Sequence, residues 1–346
     1  MFIFDGHNDT IKQAYMSGRN FLVRGDCGHI DLPRARQGNM KGGIFALQTP
    51  PELAEERAFG YGLTLDANGW EVRYAKALSQ EYAAGFVNEV LRYFLQSIEG
   101  SNEVRVVRDF DGLQHCLESD IFAVVLHLEG AEAIREDLGN IEYYHDVGVR
   151  SLGLVWSRPN AFGYGVPFRF PGDPNTGPGL TTAGKKLVRK CNELGIIVDL
   201  THITEAGFWD VAELSTAPLV VSHGNSNAIC PSTTNLLDMQ IDAVGKSRGV
   251  IGVNFDVLNV RRDGRLATDT TLDSVIEHID HIRERIGKEH VAFGSDFDGG
   301  QMPATLDSVA RLPELLDALS AHGYSDQDLE MIGHGNWLRV IRETWK

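Results

Sequence analysis

Eight short apolar runs alternate along this chain with segments of helical periodicity. The runs lie at 1–9, 42–47, 121–128, 151–155, 196–200, 219–222, 250–254 and 291–294. Their length and their content of Val, Ile and Phe are typical of buried strands. Strands that alternate with helices form parallel sheets, and eight such units are typical of a closed barrel. The sequence therefore predicts an α/β fold, a (β/α)8 TIM barrel.

No linker, internal repeat or low-complexity run divides the chain. We therefore expect a single barrel domain over residues 1–346, with additional helices at its C-terminal end. Apolar residues at spacings of three and four predict one long helix over 70–97. The same spacing predicts a helix over 272–286, with His278 and His281 on its exposed side. A Gly- and Pro-rich stretch at 158–179 carries four aromatic residues, which indicates an ordered covering loop.

Composition narrows the class of partner. Hydrophobic residues make up 42% of the 346 residues, which excludes a disordered chain. The net charge of −16 argues against binding to nucleic acid or to an anionic membrane surface. No apolar run reaches the roughly 18 residues of a membrane span, and the four cysteines form no CxxC pair. We expect a cytoplasmic protein without a targeting segment, and the sequence leaves both monomer and homodimer open.

Metal-binding side chains end or follow five of the predicted strands. They are His7, Asp9, Glu129, His202, His223 and Asp296. Active sites of such barrels lie at the C-terminal ends of the strands, so these side chains should surround one point. Imidazole and carboxylate groups are good ligands for zinc, and one carboxylate can bridge two ions. We predict two Zn²⁺ ions, with other divalent ions as alternatives, bridged by Glu129, with Asp296 as the proton-transferring acid and Asp199 as a supporting residue.

The strand-end motifs resemble those of a known family. They read DGHND at 5–9, LEG at 128–130, DLTH at 199–202, SHGNSNA at 222–228 and GSDFDG at 294–299. In this order they resemble the membrane (renal) dipeptidases, peptidase family M19 of the amidohydrolase superfamily. The resemblance implies a barrel of the metal-dependent amidohydrolase type in which His7, Asp9 and Glu129 hold one zinc ion.

By the same resemblance, Glu129, His202 and His223 hold the second ion, and Asp296 passes the proton to the leaving amine. The implied reaction is hydrolysis of a dipeptide, often with a D-residue at its C-terminal side, by a hydroxide that bridges the metals.

Three positions depart from the family pattern around the substrate. Trp156 stands where the family has a histidine that contacts the scissile carbonyl oxygen, and Thr234 stands where it has an arginine for the substrate carboxylate. Asp256 replaces a family tyrosine. We assign these residues and Arg158 to substrate binding, with Arg158, Arg261 or Arg262 as substitutes for the missing arginine. The loss of that cation predicts that dipeptides with a free carboxylate are poor substrates.

Two alternatives to a dipeptidase remain at the level of sequence. The first is a metal-dependent hydrolase for another small amide, a lactam or an N-acyl amino acid. The second is a non-catalytic barrel that binds metal without turnover. Asp296 argues against the second, because metal binding alone does not require an additional acid.

Overall fold

The computed structural model describes residues 1–57 and 62–346. Eight parallel strands form the barrel, as predicted, and a ninth strand, Val104–Val106, extends the sheet by pairing in parallel with residues 122–124. The eight barrel strands are β1 (Ile3–Asn8), β2 (Met40–Ala46), β3 (Phe122–Glu129), β4 (Val149–Gly153), β5 (Ile197–Asp199), β6 (Val220–Val221), β7 (Val250–Val253) and β8 (Val291–Phe293). The sheet closes where the Asp296 N–H donates to the His7 carbonyl at 3.0 Å and the Asp9 N–H donates to the Phe297 carbonyl at 2.8 Å. The (β/α)8 TIM barrel prediction is confirmed.

Helices connect successive strands and cover the outside of the barrel. They are α1 (Thr10–Ser17), α2 (Leu32–Gln37), α3 (Gln80–Ser97), α4 (Phe110–Glu118), α5 (Ile141–Val147), α6 (Thr182–Leu194), α7 (Glu205–Leu214), α8 (Asp238–Lys246), α9 (Leu272–Ile286), α10 (Leu312–Ala321), α11 (Asp326–Glu330) and α12 (Asn336–Thr344). The main core lies between the helices and the sheet, because the strands are buried on both faces. Within the described residues, no helix is long and apolar enough to span a membrane.

The prediction of a single helix over 70–97 is wrong in its first part. Trp70–Val72 is a strand that pairs with Leu63–Leu65, and helix α3 begins only after Ser79, whose hydroxyl accepts from the Tyr82 N–H. The Trp70 indole donates to the Gly264 carbonyl and stacks on Phe170. These contacts between distant segments override the local helical spacing, as tertiary packing often does.

The predicted covering loop is confirmed. Within the 158–179 stretch, Arg169–Phe170 adds a third strand to the small antiparallel sheet of Leu63–Leu65 and Trp70–Val72. The neighbouring Pro167 and Phe168 line a cavity at the C-terminal ends of the barrel strands. The loop therefore builds one wall of that cavity.

His278 also differs from its predicted exposed position. It is fully buried against the loop after β6, where its Nδ1 accepts from the Ser226 N–H and its Nε2 donates to the Val260 carbonyl. Burial lowers the pKa of His278 to about 4, so the neutral ring serves as a fixed bridge between two loops. Polar residues on the inner face of a helix take such positions when both ring nitrogens find partners.

Candidate metal centre and active site

The barrel places all six strand-end residues around one point, as the sequence predicted. His7 and Glu129 lie on strands β1 and β3, while Asp9, His202, His223 and Asp296 follow the ends of β1, β5, β6 and β8. Five of the six are buried and Asp296 is half-buried. The chain turns sharply at His202 and Asp296, which have φ angles of 66° and 60°. Such left-handed conformations are uncommon for residues other than glycine, and they are frequent at functional sites.

The six residues include three overlapping sets of possible metal ligands, and two of these sets share Glu129. In the first donor set, the His7 Nε2 lies 3.7 Å from Glu129 Oε2 and 3.9 Å from Asp9 Oδ2. In the second donor set, the His202 Nε2 lies 3.0 Å from Glu129 Oε1 and 3.2 Å from the His223 Nε2. Each set fits within 4.8 Å. Glu129 belongs to both of these donor sets and directs one oxygen to each.

Hydrogen bonds beneath the histidines indicate their tautomers. The Ser222 hydroxyl donates to Asp199 Oδ2 at 2.6 Å, so its oxygen is free to accept from the His223 Nδ1 at 2.9 Å and the His7 Nδ1 at 3.4 Å. The Ser157 hydroxyl lies 3.1 Å from the Nδ1 of His202 and contacts that ring at the same nitrogen. With Nδ1 protonated, His7 and His223 present the lone pairs of their Nε2 atoms to the donor sets. Such outer hydrogen bonds orient histidine ligands.

Replacing Ser222 with alanine should weaken metal binding, because His7 and His223 would lose the shared acceptor that fixes their tautomer. Loss of such an outer partner typically costs about 10- to 100-fold in metal affinity. The measurement is competition for zinc against a chelator of known affinity. Ser119→Ala is the matched control, since Ser119 also contacts a histidine, His115, but on the surface. Equal affinities of wild type and Ser222→Ala would show that Ser222 does not orient the ligands.

The three histidines of the donor sets are in the neutral form, which can bind a metal cation. Burial, together with the neighbouring imidazoles, lowers the pKa of His7 and His223 well below the ordinary value. Burial likewise lowers the pKa of His202 to about 4. Among residues 1–57 and 62–346, the buried His7 Nε2 and Glu129 Oε2 find no hydrogen-bond partner. Neutral imidazoles with unpartnered lone pairs beside carboxylates are the form that binds divalent metal ions.

Asp296 has the properties of a general acid. Burial raises its pKa well above the ordinary value, and Asp256, Asp9 and Glu129 add to the effect. The Asn254 side-chain amide donates to Asp296 Oδ2 at 3.1 Å and orients the carboxyl group. A carboxyl group with a raised pKa holds a proton more readily and can pass it to a leaving group.

A cavity of about 330 Å³ opens beside the donor sets. It is lined by Asp9, Glu129, His202 and Asp296. Trp156 and Phe168 also line it and pack edge to face, with ring centroids 5.5 Å apart. The volume suits a small molecule, and the wall combines aromatic and acidic side chains.

Of the four residues predicted to bind substrate, two line the cavity and two do not. Trp156 and Asp256 line the cavity, and burial raises the pKa of Asp256 to about 7. Thr234 lies behind the lining residue Asn259, to whose Oδ1 its hydroxyl donates at 2.5 Å. Arg158 is buried under Trp156, where its Nη2 donates to the Thr49 carbonyl at 2.6 Å. The structure therefore brings only the first two to the cavity wall.

The other two suggested cations lie in surface ion pairs. Arg261 pairs with Asp263 and Asp269, and Arg262 pairs with Glu277. Neither arginine is among the residues that line the cavity. They are therefore poorly placed to replace the family arginine.

Sequence reasoning missed Lys12. This residue lies in the first turn of α1, and its Nζ is 2.6 Å from Asp9 Oδ1 and 3.1 Å from Gln48 Oε1. Burial disfavours the charge, but Asp9 and Glu129 reverse this and raise the pKa of Lys12 above its ordinary value. The signal that could have found it is its position three residues after Asp9, which places both on one face of the turn.

A (β/α)8 barrel that presents histidines and carboxylates in two overlapping sets at its strand ends belongs to the class of metal-dependent hydrolases. The family model described as membrane dipeptidase (peptidase family M19) matches residues 1–346. The chain therefore belongs to peptidase family M19, and it is a dipeptidase-type hydrolytic enzyme with a metal cofactor.

Individual relatives agree with this assignment. A crystallised metallopeptidase from Rhodobacter sphaeroides, liganded with a phosphinate mimic of the dipeptide L-Ala-D-Ala, is 40% identical with a TM-score of 0.95, over 100% of this chain and 99% of that chain. The dipeptidase tcpJ of Claviceps purpurea is 27% identical over 98% of this chain and 76% of its own length. An uncharacterized protein in the pqqA 5′ region of Klebsiella pneumoniae is 43% identical over 68% of this chain and 86% of its own length.

Proposed function

We propose that this protein is a binuclear zinc dipeptidase that hydrolyses the peptide bond of dipeptides, including those with a C-terminal D-residue. The observation that carries the proposal is the pair of donor sets that share Glu129. They lie within one cavity beside the carboxyl group of Asp296, whose pKa is raised above its ordinary value by burial. Metal ligands, a general acid and a small cavity are what amide hydrolysis of a short substrate requires.

The two donor sets would each hold one zinc ion. His7, Asp9 and Glu129 fit the first position, while Glu129, His202 and His223 fit the second. When bound, the ions would supply Lewis acidity that activates water and polarises the scissile carbonyl. The protein keeps the imidazoles neutral and, through Ser222 and Ser157, directs their Nε2 atoms inward.

Asp296 would move the proton. An amine is a poor leaving group unless its nitrogen is protonated as the C–N bond breaks, so a protonated carboxyl group at this point accelerates the step. Asn254 holds the carboxyl group in place through its amide N–H. Asp296 would first accept a proton from the attacking water and then pass it to the leaving nitrogen, so the carboxyl group returns to its starting state.

The substrate proposal rests on the size of the cavity and on the similarity to the Rhodobacter sphaeroides metallopeptidase. At 40% identity over the whole chain, its bound mimic of L-Ala-D-Ala supports a dipeptide with a D-residue as substrate here. The edge-to-face pair of Trp156 and Phe168 would exclude water from one side of a bound dipeptide.

A second candidate substrate class is favoured by one observation. Thr234, at the position of the family arginine, is neutral and is separated from the cavity by Asn259. An N-acyl amino acid or another small amide would therefore meet a different wall from the one that family substrates meet.

The test is a substrate panel for the purified protein with zinc present. It should include L-Ala-D-Ala, L-Ala-L-Ala, N-acetyl-D-alanine and a β-lactam, with kcat/KM measured for each. We expect the highest value for a dipeptide, and about two zinc ions per chain by elemental analysis. Faster turnover of the N-acyl compound or the lactam than of any dipeptide would favour the second candidate, and full activity after chelation would refute the metal mechanism.

A further inference from the structure

Lys12 is a buried cation in the cavity that the proposed chemistry does not use. Its side chain is only 11% exposed, and it lines the cavity together with Asp9, Gln48 and Glu129. Other cations of the lining within residues 1–57 and 62–346, such as Arg57 and Lys76, are exposed. Lys12 therefore places a positive charge in the buried part of the cavity, next to the metal ligand Asp9.

The hydrogen bonds of Lys12 leave it able to bind a further group. An ammonium group has three N–H donors. One contacts Asp9 Oδ1 at 2.6 Å and one contacts Gln48 Oε1 at 3.1 Å. The third has no acceptor among the hydrogen bonds of the described residues, and the side chain borders the cavity. An acceptor from a bound molecule can complete this set.

The need to orient Asp9 does not by itself explain why residue 12 is a lysine. A neutral amide could also donate to Asp9 Oδ1, and a buried charge costs more than a buried neutral group. The positive charge of Lys12 would also not be needed to balance the carboxylates of Asp9 and Glu129. Two divalent ions, when bound, would carry more positive charge than these two carboxylates carry negative charge. An anionic group on the substrate supplies a reason for the positive charge.

Resting on the dipeptidase function proposed above, we propose that Lys12 binds a carboxylate group of the substrate. It would take over the role of the family arginine, at whose position this chain has Thr234. Two groups have this chemistry: the C-terminal carboxylate of a dipeptide, and the side chain of an acidic residue next to the scissile bond. In either case one N–H of Lys12 donates to a carboxylate oxygen, and no bond is made or broken.

The test compares wild type, Lys12→Met, Lys12→Arg and the surface control Lys190→Met. One substrate pair is L-Ala-D-Ala and its C-terminal amide, and the other is L-Glu-L-Ala and L-Gln-L-Ala. If Lys12 binds the C-terminal carboxylate, Lys12→Met should raise KM about 10- to 100-fold for L-Ala-D-Ala and much less for the amide. If it binds an acidic side chain, the selective loss should fall on L-Glu-L-Ala instead. Lys12→Arg should recover part of the loss, and Lys190→Met should match wild type.

Two further measurements distinguish carboxylate binding by Lys12 from a role limited to positioning Asp9. If Lys12 binds a carboxylate, Lys12→Met should keep the zinc content of the wild type. If Lys12 only positions Asp9, the variant should lose zinc, and its rate should fall equally for all four substrates. That equal loss would overturn the inference while leaving the dipeptidase function intact. Calorimetric binding of N-acetyl-D-alanine, of N-acetyl-L-glutamate amide and of their neutral amides needs no turnover. Tighter binding of a carboxylate by wild type than by Lys12→Met supports the inference even if no dipeptide is hydrolysed, and equal binding of both carboxylates overturns it.

Discussion

A Glu129→Gln variant should lose at least one metal ion per chain and about three orders of magnitude in kcat/KM. Glu129 is the one residue of the two donor sets that belongs to both, with Oε2 facing His7 and Oε1 facing His202. A neutral amide offers one weak oxygen ligand where the carboxylate offers two. Metal-assisted polarisation contributes several kcal/mol to such reactions, and each 1.4 kcal/mol is a factor of about ten in rate.

The measurement for Glu129→Gln combines elemental analysis with kinetics on the best dipeptide of the panel. Glu142→Gln is the control, because Glu142 lies on helix α5 and forms a surface ion pair with Lys190. It should retain full metal and full rate. A Glu129→Gln variant with two ions and wild-type kcat would exclude a bridging role for this carboxylate.

An Asp296→Asn variant should keep most of its metal and lose at least two orders of magnitude in kcat. General acid–base groups typically contribute about 10²- to 10⁴-fold, and the amide cannot donate the required proton at neutral pH. The loss should shrink for L-alanine p-nitroanilide, whose leaving amine needs little protonation. Metal content and kcat on both substrates provide the measurement.

Asp307→Asn is the control for this second variant, since Asp307 is exposed. It removes a carboxylate without touching the cavity and should behave as wild type. If Asp296→Asn lost metal in proportion to rate, the residue would act mainly as a ligand with His7 and His223, an arrangement that their spacing also permits.

The sequence was sufficient to predict the barrel and to place its six strand-end residues together. The reason is physical: parallel strands present their C-terminal ends at the same end of a barrel, so residues far apart in sequence converge once the strands are recognised. The strands were recognisable because they are buried on both faces and read as nearly continuous apolar runs. Glu129 and His202, 73 positions apart, were matched in this way.

The cavity wall could not be predicted in the same way. It is built where loops meet, as when the Trp70 indole reaches the Gly264 carbonyl and turns part of a predicted helix into a strand. Lys12 was missed because it lies beyond the strand end, in the first helical turn, from which its ammonium group reaches back to Asp9. Arg158 was suggested from its distance along the chain, and its burial beneath Trp156 depends on packing that sequence spacing does not contain.

At the left-handed turns of His202 and Asp296, the requirements of thermal stability and of catalytic activity oppose each other. Each residue holds a backbone conformation that glycine would adopt without strain, at a cost of roughly 1–2 kcal/mol. Glycine at either position would relieve that strain but would remove the imidazole or the carboxyl group on which turnover depends. Selection for heat resistance alone would therefore favour substitutions at these two turns that selection for hydrolysis would reject.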